Sequence, residues 1–151
     1  IEFLHYFDPS YHFNAAFLYA QFQKAKKITT QRKSIFNLYH KQLKILEQKG
    51  LIIRAKIPSY SGFNGHIYYI QILKKKRLDL IKYLNNKSIM SVFHYIPLHS
   101  SSFGKKNTIT RSKMNYTNAT SNHLLRLPMH TNMSNRDIKK VTIAIFNFFD
   151  A

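Results

Sequence analysis

The sequence predicts an α+β fold: one long helix, then a small, mainly antiparallel sheet with helices on one face. Three observations predict it. Residues 14–49 keep apolar side chains at helical spacing throughout. Only two stretches, 66–73 and 89–94, have the apolar, β-branched character of strands. The remaining helical patterns are grouped rather than alternating with strands.

Residues 1–13 are aromatic and irregular, and Pro9 is expected to break any helix there. The long helix carries Phe17, Leu18, Phe22, Ala25 and Ile28 in its first part. Its second part sets Ile35, Leu38, Tyr39, Leu43 and Leu46 on one buried stripe. A bend is expected at Thr29 and Thr30, and Gly50 is a natural stop after Lys49. "LIIRAKI" (51–57) reads as a short extended segment before Pro58, and "SYSGFNG" (59–65) as a loop. "HIYYIQIL" (66–73), apolar on both faces, reads as a central strand. Helical spacing returns over 75–87 through Leu80, Tyr83 and Leu84. Residues 89–94 form a second strand, 101–116 a polar surface loop, and 117–125 a short helix before "RLPMH". Ser134 and Asp137 then make the S-x-x-D of a capping box ahead of Ile138, Val141, Ile145, Phe148 and Phe149.

At 151 residues and 44% apolar composition the chain is long enough for a real core and is not compositionally disordered. It has 24 Lys+Arg against 6 Asp+Glu, a net charge of +18. Clustered cations would indicate nucleic acid. Here the basic residues are scattered through every segment, the tightest runs (Lys24, Lys26, Lys27; Lys74 to Arg77) are short, and no nucleic-acid motif accompanies them. The charge therefore reads as incidental, with a stand-alone basic α+β module for nucleic acid or an acidic partner as the second reading and a nonfunctional remnant as the third. Cysteine is absent, which excludes disulfides, thiolate metal ligands and a Cys nucleophile. No apolar stretch approaches the ~20 residues of a membrane span. The start lacks the basic and apolar regions of a signal peptide, so a cytoplasmic location is expected. The chain opens with Ile1 in mid-pattern, as expected of a piece of something longer. The N-x-[ST] matches at Asn86, Asn115, Asn118 and Asn132 are chance in so Asn-rich a chain.

No self-contained catalytic centre is visible. The acids are far apart in sequence, with no spacing that pairs a general acid with a base. Eight histidines raise the question of a metal, yet His94 and His99 straddle a proline and no H-E-x-x-H occurs, so no metal is expected. A G-x-S-x-G elbow and a Gly-rich phosphate loop are both missing. What remains is a set of polar side chains at the margins of apolar elements. Ser10 and Tyr11 precede the long helix, His66 stands at a strand start, and His94, Tyr95 and His99 at a strand exit. Taken singly, each is an ordinary amphipathic side chain at a core edge.

The ordered set is more specific. "SYHFNAAFLYAQFQKAKKITTQRKSIFNLYHKQL" (10–43), "HIYYI" (66–70), "IMSVFHYIPLHSS" (89–101) and "SNHLLRLPMHTNMSNRDIKKVTIAIFNFF" (121–149) resemble, in order, the C-terminal third of the DegT/DnrJ-type sugar aminotransferases. The resemblance covers almost the whole chain. It implies the small C-terminal domain of a fold-type I aminotransferase dependent on pyridoxal phosphate. Residues 1–50 would be the segment and long helix leading from the large domain, and 51–151 the small domain itself. The family's Schiff-base lysine and the Asp that pairs with the cofactor ring lie in that large domain, so no catalytic residue is nominated here. The resemblance further implies a homodimer, glutamate as amino donor and a 4-keto-6-deoxyhexose on dTDP as acceptor. Ser10 would face the cofactor phosphate of the neighbouring subunit. Tyr11, His66, His94, Tyr95 and His99 would face the substrate, with Pro97 fixing the exit. The chain departs from the family where Asp8-Pro9 replaces small residues, and again in the segment that enters the helix. Only Asn14, a candidate N-cap, separates Phe13 from Ala15, about three residues short and so close to one helical turn.

Overall fold

Proline at position 9 opens the first helix instead of preventing one. The computed structural model describes residues 9–110 and 112–150, with side chains from His12 onward. Helix α1 spans Pro9–Gln23 and runs straight through Asn14. Proline is tolerated at the first helical position, where its missing N–H would have had no partner anyway. Asn14 is therefore not an N-cap. Helices α2 (Ala25–Gln42) and α3 (Lys44–Gln48) follow after single-residue breaks at Lys24 and Leu43. The expected bend at Thr29 and Thr30 is absent, since α2 continues through both.

The stop at Gly50 forms as the sequence requires. Its φ is +67°, its N–H donates to Glu47 O at 2.9 Å, and the Leu51 N–H donates to Leu46 O at 3.0 Å. This is a Schellman ending, in which the left-handed glycine turns the chain back into β1.

Strands β1 (Ile52–Arg54), β2 (Tyr69–Ile72) and β3 (Leu124–Arg126) form an antiparallel sheet in the order β1-β2-β3. Ile52 pairs with Ile72, and Ile70 with Leu125. The strand read over 66–73 is thus central but shorter. The strand read over 89–94 is only one bridge, Val92 to Arg126 on the outer side of β3. The third strand comes instead from the end of the segment read as helix 117–125.

Helices α4 (Arg77–Asn85) and α7 (Asn135–Asp150) complete the layer, with α2 and α4 both against α7. One core holds Ile35 and Tyr39 of α2, Ile70 and Ile72 of β2, Leu80 and Leu84 of α4, and Ile138, Val141 and Ile145 of α7. Full burial stabilises each such side chain by about 1.5–3 kcal/mol. The capping box of α7 is reciprocal. Ser134 Oγ accepts from the Asp137 N–H at 3.2 Å, and Asp137 Oδ2 accepts from the Ser134 N–H at 2.9 Å and from its hydroxyl at 2.7 Å. Those bonds to Ser134 hold the Asp137 carboxyl below the usual range.

Two short helices occupy the region read partly as loop: α5 (Ser102–Asn107) and α6 (Asn115–His123). Ser101 caps α5 by accepting from the Gly104 N–H at 2.9 Å. Gly104 must be glycine, because a Cβ there would lie 1.7 Å from Leu98 O. Among the described residues no helix is long and apolar enough to cross a membrane.

Candidate functional site

The site grows from the edge of β3. Arg126 is held by Tyr69 on one side. On the other it exchanges backbone bonds with Val92, N–H to O at 2.8 Å and O to N–H at 3.2 Å. Two residues after this bridge the chain leaves the sheet, and His94 comes against the Arg126 guanidinium. Arg126 Nη1 lies 2.9 Å from His94 Nε2 and 3.4 Å from Nδ1. Tyr95 follows across a cis peptide bond, and its ring meets that of His94 edge to face, 4.5 Å between centroids. Pro97 then starts a 3₁₀ turn at Leu98–Ser100, closed by the Ser100 N–H donating to Pro97 O at 2.9 Å. The turn carries His99 towards α6, where His99 Nε2 lies 2.9 Å from Asn118 Oδ1.

This strand exit lines three adjoining clefts. The first, about 610 Å³, has Met90, Met129 and Met133 as apolar walls and His94, Arg126 and Lys140 as polar groups. The second, about 640 Å³, lies on the other side of His94 and is lined by Tyr95, Pro97, Tyr116, Thr117 and Thr120. The third, about 610 Å³, shares Pro97, Leu98 and Thr117 with the second and adds His99. Flat rings, hydroxyls and imidazoles around open space suit a polar ligand with an apolar face.

Of the expected site residues, His94 and Tyr95 share the second cleft, and His99 lines the adjoining third. His66 is not with them. Its Nδ1 and its carbonyl each lie 3.3 Å from Arg32 Nη1, which puts it against α2. A strand start does not reveal which edge of the sheet its neighbours occupy. Ser10 and Tyr11 fall within α1 by backbone, and their side chains lie outside the described residues.

Two arginines escaped nomination. Arg126 lies against the His94 ring. Arg77 lies over the Phe93 ring at 4.3 Å and donates to the carbonyls of Ser121 and Leu124, tying the start of α4 to the far wall. The signal for Arg126 was present in "LLRLP", where a lone cation between leucines calls for a partner.

Residues 11–146 match the model of the DegT/DnrJ/EryC1/StrS aminotransferase family. The chain belongs to this family. Solved structures with the same fold include the aminotransferase TlmJ from Streptoalloteichus hindustanus, 17% identical with a TM-score of 0.75, covering 87% of this chain and 35% of that one. A DegT/DnrJ/EryC1/StrS aminotransferase from Brucella abortus is 23% identical, TM-score 0.73, covering 87% and 34%. DesV from S. venezuelae, in complex with a ketimine intermediate, is 17% identical, TM-score 0.77, covering 91% and 36%. The chain therefore spans about a third of the length of these structures.

Members of the DegT/DnrJ family use pyridoxal phosphate, and the residues here can be tested against that group. A cofactor cradle needs a lysine amine and a carboxylate facing an enclosed ring. The first cleft does bring Lys140 and Asp137 together, but both are exposed and Asp137 is engaged by Ser134. The described residues do not make that cradle. Among them, no group of three His, Asp or Glu could hold a metal ion.

Proposed function

We propose that the chain is the small C-terminal lobe of a sugar-nucleotide aminotransferase. The whole enzyme would transfer an amino group from glutamate to a 4-keto-6-deoxyhexose on dTDP. This is the reaction of dTDP-4-amino-4,6-dideoxygalactose transaminase, which serves enterobacterial common antigen and lipopolysaccharide synthesis. The observation that carries the reading is the convergence of His94, Tyr95 and His99 on adjoining clefts within the family-matched stretch. Tyr95, 76% exposed, offers a ring for the sugar or base to lie against. His94 and His99 offer ring nitrogens to its hydroxyls.

Pyridoxal phosphate, held mainly by the lysine-bearing large domain, would supply the electron sink for amino transfer. Ser10 is assigned to the cofactor phosphate of the neighbouring subunit in a cytoplasmic homodimer, and Tyr11 and His66 to the substrate. Residues 1–50 connect to the large domain, and 51–151 form the lobe that closes over the site.

The test is a titration of the isotope-labelled chain with a dTDP-linked 6-deoxyhexose, followed by NMR. Perturbation concentrated at 92–99 and lost in Tyr95→Ala supports the reading. Perturbation spread over the lysine runs and abolished by salt overturns it in favour of plain charge attraction. The isolated chain is expected to show no transaminase activity and no visible cofactor band that borohydride fixes onto a lysine.

A further inference from the structure

We infer that Arg77 is a positioning residue for the second cleft: standing outside it, the guanidinium ties the end of α6 to Phe93 and so fixes the spacing between the wall of Tyr95 and the wall of Thr117 and Thr120. The inference rests on the reading of that cleft as a place for the sugar nucleotide, and adds what holds its two walls at one width.

The two walls are held differently. The strand exit follows directly on Val92, which is bridged to Arg126 in the sheet. Helix α6 supplies Tyr116, Thr117 and Thr120 to the same cleft and has no buried residue of its own. Apolar packing therefore does little to anchor it. It leads into β3 at Leu124 and is otherwise held by polar links. His99 Nε2 lies 2.9 Å from Asn118 Oδ1 near its middle. At its C-terminal end, where a helix leaves carbonyls without partners, Arg77 Nη1 donates to Ser121 O and, at 3.4 Å, to Leu124 O. A cation at that end is also favoured by the helix dipole.

Arg77 is a fixed post. It opens α4, whose Leu80 and Leu84 are fully buried. Its guanidinium carbon lies over the Phe93 ring, 4.3 Å from the centroid, and Phe93 stands between the bridged Val92 and the cleft residue His94. An arginine can lie on an aromatic face while its several N–H groups donate elsewhere, whereas a lysine offers one compact ammonium. Burial lowers the Arg77 pKa, and its Nε is buried with no partner among the described residues. The charge therefore depends on these few contacts. Arg77 lines a smaller cleft with Asn122 and His123 instead of the second, so its loss takes no group away from a ligand there.

The chain has no cysteine, so Ile96→Cys with Ala119→Cys places one nitroxide on each wall, and pulsed electron spin resonance reads the distance between them. The expected distribution is narrow with Arg77 present, broadened in Arg77→Met and partly narrowed again in Arg77→Lys. In chains without labels, Arg77→Met should weaken binding of a dTDP-linked 6-deoxyhexose about tenfold, as expected if the competent width is populated about a tenth of the time. A role in stability alone would lower the melting temperature and leave the distribution as narrow as before. An unchanged distribution in a folded Arg77→Met chain overturns the inference, and so does a broadened one with unchanged affinity. If Arg77→Met does not fold, Phe93→Leu, which removes only the ring under the guanidinium, must broaden the distribution for the inference to stand. The distances need no ligand, so failure of the unaltered chain to bind the probe sinks the sugar-nucleotide reading without deciding what holds the walls.

Discussion

Two stacked tyrosines offer a comparison in which only one hydroxyl differs in its bonding. Tyr39 and Tyr68 are both fully buried, their rings 5.1 Å apart and 25° from parallel. Burial pushes both phenols well above their ordinary range. The Tyr39 hydroxyl donates to Pro128 O at 2.9 Å, fastening α2 to the turn that walls the first cleft. The Tyr68 hydroxyl has no partner among the described residues. Replacing either ring by Phe conserves nearly all the volume, so packing changes little. Tyr39→Phe leaves the part-buried Pro128 carbonyl without its donor, at a cost of about 1 kcal/mol or more. Tyr68→Phe removes an unbonded buried hydroxyl, whose desolvation costs about 1–3 kcal/mol on protein scales, and is expected to be neutral or stabilising. The two variants should therefore differ by about 2 kcal/mol or more. At roughly 2–4 °C per kcal/mol for a chain of this size, thermal melts followed by circular dichroism resolve the difference, and urea midpoints check it. Equal destabilisation by the two substitutions would refute the reasoning, since it would mean that the Tyr68 hydroxyl is bonded.

Gly65→Ala should destabilise strongly, because its φ of +64° costs an L-residue about 1–2 kcal/mol. Its Cβ would also lie 2.8 Å from the backbone of Arg32 and Lys33; an unchanged urea midpoint would sink this account. The isolated chain should self-associate and bind hydrophobic dye through α1, where Phe13, Phe17, Tyr19 and Phe22 are 66–73% exposed. Phe17→Ser with Phe22→Ser should reduce both, whereas a wild-type monomer by sedimentation, blind to the dye, contradicts the lobe reading. Stability should also rise with pH on the acid side. Burial and then the Arg54 charge hold His40 below its ordinary value. Burial alone would raise Glu47, but bonds from the Arg54 N–H and guanidinium outweigh it and leave it lowered. Both groups bind fewer protons folded than unfolded, so their contribution is complete above their unfolded values and is lost as pH falls through the folded ones. Glu47→Gln should flatten that slope in urea midpoints measured against pH.

The legible parts of the fold were those with local chemistry. Gly50, the Ser134–Asp137 box and the stripe from Ile35 to Leu46 all state their structure within a few residues. Strand β3 was not legible, because "LLRLP" is too short for its period to separate strand from helix end. Its assignment comes from pairing with Tyr69 to Gln71, far upstream. Pro9 was read as a breaker when its position, first in the helix, made it an opener. At the site, the nearness of His94, Tyr95 and His99 could be read because the three side chains share one segment. The place of Arg126 could not, since it depends on the register that places Val92 beside it. The contact of His66 with Arg32 of α2 joins residues 34 positions apart, which the local sequence does not state.

The bonds that close this core join distant parts of the chain. Tyr39 reaches Pro128 across 89 positions, and the Thr142 hydroxyl reaches Gln42 across 100. The entropy of closing such loops must be met before the sheet can form, so helix α2 should be an early element and β3 a late one in folding. The same arrangement has a consequence for a severed chain. A protease cut within the exposed stretch 105–110 would leave two fragments. One would hold α2, β1 and β2, the other β3 and α7, each presenting the apolar face that the other covers. Such halves have the makings of a split protein that reassembles without a covalent link, with β3 pairing onto β2 as the joint.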